Sequence, residues 1–341
     1  MSIEDKNKRK QQIVLVAVDE YIKNAQPITS GALNLHFKDI SSATIRNELN
    51  ALESMGYFKQ LHTSGGRVPT TLAYKEYVNY LLENKDLNYN SIQEVLASYE
   101  NKSVSLISTL TTLAKHLSKV TNCPTVLVQH GLQHLKIVNL QIIPLIQKDA
   151  LLLVETEAGI IDDNISVDPN IDRSACGEAS DYLTKHFKGQ TIEYLVNNIN
   201  KVCLSAGSQI LQFKELIDSV ADALMAVIRT KCDVANENPT KLLDGMSKSE
   251  YDDTKNVFEF LEDRNNVIDV VKENSNELNF TIGEDTGKLK GGMLMSAPIV
   301  INGVPIASLA LVGPKRIDYA NVAAALKFIV NQIDKKGEGN G

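Results

Sequence analysis

The run Ser41-Ser42-Ala43-Thr44-Ile45-Arg46-Asn47-Glu48-Leu49-Asn50 holds side chains suited to touching the edges of nucleic-acid bases. Set at 100° per residue, Ile45, Leu49 and Leu52 share one face of a helix expected over about 42–55 and ended by Gly56. The opposite face carries Ala43, Asn47, Asn50 and Ser54, flanked by Thr44 and Arg46. A surface of small and amide-bearing residues lets a helix come close to a base pair. Asn can bond two atoms of adenine, Arg two atoms of guanine, and Ala or Thr can touch a thymine methyl. Ser41 or Ser42 supplies the N-cap, beside free N–H groups that also suit a phosphate. Taken alone, such a face is equally that of an ordinary solvated helix.

A second feature stands next to it. His62-Thr63-Ser64-Gly65-Gly66-Arg67 reads as the tip of a hairpin between two short strands within Tyr57–Thr70. The glycines permit positive φ and close backbone approach, and Arg67 can reach a phosphate or the minor groove. A helix with a base-reading face followed in register by such a tip points to a winged helix-turn-helix that reads duplex DNA. The candidate DNA-binding set is therefore Ser41, Ser42, Ala43, Thr44, Arg46, Asn47, Asn50 and the six residues His62 to Arg67.

The elements that must position these residues are legible upstream and downstream. Residues 9–24 form a helix with Ile13, Ala17 and Tyr21 on one side and Val14, Val18 and Ile22 beside them. Thr29 or Ser30 caps a short helix running through Phe37, and a further helix begins near Thr71 with Tyr74, Tyr77, Val78 and Leu81 on one side. Residues 1–83 make up this domain and 84–103 are a polar linker. An amphipathic helix spans 104–121, and strands are expected at 125–130, 136–146 and 150–155, then at 278–283, 293–300 and 304–312. Asn302-Gly303 is a two-residue hairpin signal. Between the two groups, residues 172–262 read as helical. The economical layout is an α+β, multidomain chain: an α/β domain of residues 104–171 and 263–335, in which about 122–168 and 276–335 share one sheet, interrupted by a helical insertion at 172–262. A loose tail follows at 336–341.

Charge agrees with that division. The 341 residues carry a formal net charge of −7. Residues 1–82, however, hold ten Lys or Arg against eight Asp or Glu, a net of +2. Any phosphate contact therefore belongs to the N-terminal part, because only local positive charge releases counterions. No apolar run is long enough for a membrane helix and the polar start lacks a signal segment, so no membrane partner is expected. Four cysteines, Cys123, Cys176, Cys203 and Cys232, are widely spaced and read as reduced thiols of a cytoplasmic protein.

Ile40 to Thr70, ISSATIRNELNALESMGYFKQLHTSGGRVPT, resembles the winged-helix signature of the heat-inducible transcription repressor HrcA family. That signature runs S-S-A-T-I-R-N-x-[ML]-x-x-L-E-x-x-G-[YL] and then H-T-S-A-G-R-[IV]-P-T. Glu20 to Ser30 (EYIKNAQPITS) is similar to the preceding family segment, and Leu309 to Tyr319 (LALVGPKRIDY) to G-V-I-G-P-x-R-M-D-Y near the family's other end. Two positions depart from the pattern. Gly65 replaces the usual alanine, and Thr71-Leu72-Ala73 stand where the family has an Asp-Lys-Gly type continuation, removing a basic residue beside the hairpin. The resemblance implies a GAF-like domain for the α/β part and a dimerising role for the helical insertion. It also implies repression of chaperone operons through an inverted-repeat operator, and dependence on a GroEL-type chaperonin. A regulator that senses a small molecule through the GAF-like part is the alternative.

Other chemistry-bearing clusters read as structural. His130 and His134 are four apart but lack the intervening glutamate of a zinc helix, and Gly131 favours a turn. Asp162-Asp163 and Asp252-Asp253 are adjacent acids that point apart, as in solvated loops. Gly291-Gly292-Met293 with the 293–312 hairpin reads as packed sheet core and not as a pocket wall. In Gly313-Pro314-Lys315-Arg316-Ile317-Asp318-Tyr319, a turn precedes a helix that Asp318 caps, with Lys315 and Arg316 exposed, and the run fits either a structural turn or a contact with another domain. No catalytic group, metal or cofactor is expected.

Overall fold

The computed structural model describes residues 3–60, 66–83, 105–145, 149–168, 170–205, 214–229, 231–243, 248–273, 278–283 and 287–338. The expected linker at 84–103 and the last three residues of the tail lie outside them.

Three helices open the chain: α1 (Ile3–Asn24), α2 (Ser30–Asn34) and α3 (Ser42–Ser54). The strands β1 (Phe58–Gln60) and β2 (Arg67–Pro69) pair antiparallel, and α4 (Thr71–Glu83) follows. Helix α1 begins six residues earlier than its apolar pattern, because its first two turns are polar and exposed. It ends where Ala25 takes φ 52° ahead of Pro27. Helix α2 is shorter than its spacing suggested and stops at Asn34, with Leu33 as its one buried side chain. The core of this unit is Ile13, Val14, Ala17, Val18, Leu33, Ile45, Leu49, Leu52, Phe58, Ala73 and Val78, all buried. Leucine or isoleucine cut back to alanine at such sites costs about 2–5 kcal/mol.

Beyond α4 lies α5 (Leu106–Thr121), whose N-cap Ser105 accepts from the Ser108 N–H and whose C-cap Asn122 is left-handed at φ 54°. It leads into a five-stranded antiparallel sheet ordered β7 (Lys231–Ala235), β3 (Thr125–Gln129), β10 (Val304–Pro314), β9 (Gly292–Ile301) and β8 (Asn279–Ile282). Both faces are covered, so β3 is buried at every position. Leu127, Met295, Leu309 and Leu311 belong to the cluster that includes Leu110 and Leu117 of α5 and Val322 and Leu326 of α11 (Tyr319–Glu338). Their neighbours Val126, Val128, Ala310 and Val312 cluster instead with Val257, Phe260, Val267 and Val271 of α9 (Lys248–Glu262) and α10 (Arg264–Glu273). Asn302 and Gly303 join β9 to β10 at φ 51° and 79°, the pair of left-handed residues that an Asn-Gly hairpin turn needs.

The expected sharing of one sheet is corrected in two respects. First, β4 (Ile137–Pro144), β5 (Asp149–Thr156) and β6 (Gly159–Ser166) make a separate three-stranded sheet. Helix α6 (Arg173–Phe187) packs on β4 and α8 (Lys214–Ile228) on β6, with α7 (Ile192–Ser205) against α8. The hydroxyls of Ser180 and Thr184 on α6 accept from the Ile142 and Leu140 N–H groups at 2.9 and 3.0 Å, which satisfies the outer edge of β4. Second, β7 lies inside the range read as helical insertion, yet it pairs with β3 along its whole length. The excursion from the five-stranded sheet is therefore 137–228, and α9 and α10 belong to the sheet they cover. Asp162 and Asp163 lie on β6 and Asp252 and Asp253 on α9, and neither pair lies in a loop.

Cys123 sits where α5 meets the sheet, fully buried, and burial pushes its thiol up to about 12. A thiol so placed is thiolate at about one part in ten thousand at pH 8. Alkylation of the native chain at pH 8, mapped by mass spectrometry, should leave Cys123 unmodified until guanidinium unfolds it.

Candidate nucleic-acid interface

The candidate interface is built on α3. Ser41 takes the N-cap: its Oγ accepts from the Thr44 N–H at 3.1 Å and lies 2.9 Å from the Thr44 hydroxyl. Ser42 instead donates to Ser30 Oγ at 3.4 Å, tying the start of α3 to the start of α2. Ile45, Leu49 and Leu52 are buried, while Ala43, Arg46, Asn47, Asn50 and Ser54 are exposed and Thr44 half-buried. The face expected to be open is therefore open, and the one expected to be packed is packed.

Two charged clamps hold this helix. Arg9 of α1 donates to Glu48 Oε1, its Nε at 3.1 Å, from a pair whose side chains are both largely buried. On the other side Arg67 of β2 donates through Nε to Glu53 Oε2 at 2.8 Å and through a terminal N–H to Asn50 Oδ1. Arg67 is itself fixed by its backbone, since its N–H donates to the Ile28 carbonyl at 2.8 Å and its carbonyl accepts from Ile28 at 2.7 Å. That exchange is an isolated antiparallel bridge beside the two-stranded hairpin. Gly66 lies against it so tightly that a Cβ would come within 2.8 Å of the Pro27 and Ile28 backbone. Here a glycine is needed for close approach. Of the hairpin tip, Gly66 and Arg67 are described, whereas His62, Thr63, Ser64 and Gly65 lie outside the described residues. The acidic partners Glu48 and Glu53 were not singled out from sequence. The available signal was Glu53 three residues after Asn50, which puts a carboxylate on the same edge of the helix.

A third contact sets this unit against the rest of the chain. Arg316 is not exposed as expected: its side chain is 16% accessible, its Nε donates to Glu250 at 2.5 Å, and its Nη1 donates to the Ile22 carbonyl in the last turn of α1 at 3.2 Å. A cation at a helix carboxyl end also meets the negative end of the helix dipole. Lys327 of α11 donates to the Leu82 carbonyl at the end of α4 at 2.8 Å. Between them, the rings of Tyr74 and Tyr77 pack on Tyr319 at 5.8 and 6.4 Å. Tyr319 is buried and donates to the Lys315 carbonyl at 2.6 Å, and burial holds its phenol well above its ordinary value. Asp318 caps α11 as expected, accepting from the Asn321 N–H at 3.0 Å. Of the two readings left open for residues 313–319, both apply: the turn is also an interdomain contact.

The remaining clusters show no convergent chemistry. His130 lies 2.8 Å from Ser308 Oγ across the sheet, and burial lowers its pKa, which keeps it neutral. His134 belongs to a short 3-10 turn beside Gln133. Asp253 is packed against Gly291, where burial raises its carboxyl pKa despite the opposing pull of Lys315. Among the described residues, no group of His, Cys, Asp and Glu is arranged to hold a metal ion. No described helix is long and apolar enough to cross a membrane.

Proteins similar to this chain are named as transcription repressors. The family model described as "HrcA protein C terminal domain" matches residues 107–323, well over half of the chain. The chain belongs to the HrcA family. It is 25% identical over 337 residues to a heat-inducible transcription repressor HrcA of Ruminiclostridium cellulolyticum, covering 96% of each chain. It is 28% identical over 342 residues to the protein of that name from Clostridioides difficile, covering 97% of this chain and 99% of that one. A solved structure described as "Crystal structure of a hypothetical protein at 2.2 A resolution" shares the fold with TM-score 0.67 at 22% identity, over 96% of this chain and 97% of the other.

Replacing Arg316 by alanine strips the α1 carboxyl end of its cation and leaves Glu250 without this partner, at a cost of about 2 kcal/mol for a charge-assisted bond. Calorimetry should then show the N-terminal unit melting at a lower temperature in the variant than in the parent chain.

Proposed function

We propose that this chain is a homodimeric repressor of heat-shock chaperone operons, whose residues 3–83 form a winged helix that reads an inverted-repeat operator. The observation that carries the reading is the exposed face of Ala43, Arg46, Asn47 and Asn50 on a capped helix clamped from both sides by Arg9 and Arg67. In this reading α3 enters the major groove, Ser41 and Ser42 lie at a helix N-terminus able to take a phosphate, and the hairpin tip from His62 to Arg67 follows the adjacent backbone. The part containing the five-stranded sheet is GAF-like, and the excursion at 137–228 is the dimerising element. Two reading heads related by a two-fold axis then meet half-sites separated by a whole number of turns, about 10.5 base pairs each. Loss of a GroEL-type chaperonin to heat-damaged proteins would shrink the active population and release the operator. Support for heat-controlled repression comes from the relatives, which are named heat-inducible transcription repressors; the dimer and the chaperonin are part of the proposal.

The alternative, a sensor of small molecules, draws little support from the cavity beside Arg316. Lined by Thr121, Cys123, Glu250, Thr254, Arg316 and Asp318, it encloses about 190 Å³. Ligand sites run to about 300–1,000 Å³.

Gel shifts on an inverted-repeat duplex test the reading. Arg46→Ala and Asn47→Ala should each cost about 1–3 kcal/mol of specific binding while leaving non-specific binding nearly unchanged. The logarithm of affinity should fall with the logarithm of salt by about 0.9 per phosphate neutralised. Addition of a GroEL-type chaperonin after a mild heat step should restore the shifted band. Operator selectivity that survives both substitutions would mean that α3 is not the reading element.

A further inference from the structure

The contact between Arg67 and Asn50 decides what α3 can recognise. An arginine side chain has five N–H donors and no acceptor, so the atom of Asn50 that faces it must be the amide oxygen. The arrangement is a firm one. Arg67 is 12% accessible at its side chain, its backbone exchanges two hydrogen bonds with Ile28, and Glu53 occupies its Nε at 2.8 Å. Asn50 is nevertheless exposed, on the same face as Asn47 and Ala43. With the oxygen turned toward β2 and one of its two lone pairs taken by Arg67, the end of the amide turned away from β2 is Nδ2, which carries two donors.

We infer that Arg67 is a positioning residue that turns the donor end of Asn50 toward the base, selecting guanine at the base it meets. The inference rests on the reading of α3 as the element in the major groove. A two-point contact with adenine needs both ends of the amide fork on one base edge, one accepting from N6 and one donating to N7. In Asn50 one end of that fork faces the protein. Guanine presents N7 and O6, two adjacent acceptors. Adenine sets its N6 donor beside N7, against the Asn50 donors, cytosine offers only its N4 donor, and thymine has O4 as its single acceptor beside a methyl group. Adenine recognition by an amide is thereby left to Asn47, one turn earlier on the same face. This assigns Arg67 a role through Asn50, where the hairpin position alone suggested a direct phosphate contact.

The test is selection of bound duplexes from a randomised library by the full chain and its variants, each checked for a cooperative thermal melt. The parent chain should enrich an inverted repeat with guanine at one position of each half-site. In Asn50→Asp one carboxylate oxygen can accept from Arg67 while the other faces outward as an acceptor. Preference at that position should then swing from guanine to cytosine by about five- to a hundred-fold. Arg67→Ala should relax guanine over adenine at that position only, and Arg67→Lys, which keeps a donor, should retain it. If Arg67→Ala does not fold, the Asn50→Asp result decides alone. The inference is overturned if Arg67→Ala weakens every sequence alike with base preference intact, or if Asn50→Asp leaves all preferences unchanged. Failure of the parent chain to select any sequence would instead remove the reading of α3 on which the inference stands.

Discussion

A helix that is to read DNA must be held rigidly by one half of its surface while the other half stays unpaired. In this chain that constraint is met by burial on one side, through Ile45, Leu49 and Leu52, and by ionic clamps along both flanks, Arg9 on Glu48 and Arg67 on Glu53. Apolar packing is non-directional, so three buried side chains alone would leave the helix free to roll by some degrees about its axis. Hydrogen-bonded ion pairs at either flank have fixed geometry and oppose such a roll. Their side chains are largely screened from water, which gives them more weight than exposed surface pairs. Removing either arginine would leave a half-buried carboxylate without that partner, the costly half of the exchange.

The same logic extends to the placement of the whole N-terminal unit. Two of its helices end on cations from the far end of the chain: α1 on Arg316 and α4 on Lys327. Each ammonium or guanidinium group meets carbonyls that have no partner within their own helix. The tyrosines packed between these contacts join the two cores in one apolar cluster. A change in the sheet region that shifted Arg316 or Tyr319 would therefore act directly on α1, against which α3 is packed, and on α4, which packs on α1. This is a physical route by which stability of the larger part bears on the presentation of the outward face of α3.

Much of this was legible in the residues. The spacing of Ile45, Leu49 and Leu52 located the buried face of α3, and Asn302-Gly303 located the β9–β10 turn, because both signals are local and nothing elsewhere overrides them. Strands β6 and β7 were missed for opposite reasons. The sequence of β6, with Asp162, Asp163 and Asn164, has poor strand propensity and is carried by its pairing with β5. The five residues of β7 lie at a sheet edge, half-exposed, and leave no alternating pattern to read. Pairing between β3 and β7 across a hundred residues of intervening chain is a non-local event that composition cannot display, which is why the excursion was placed too late. At the candidate interface, residue types located the helix face. They could not show that Arg67 turns inward to Asn50 and Glu53, because that depends on where Ile28 anchors β2.

The central claim is that the outward face of α3 lies in the major groove of a two-fold duplex site. Cleavage mapping from an iron chelate attached at Ala43→Cys, with the unsubstituted chain as labelling control, tests it most directly. The account predicts cuts clustered in the major groove of each half-site, related by two-fold symmetry. Cuts confined to the minor groove, or scattered without symmetry, would contradict it.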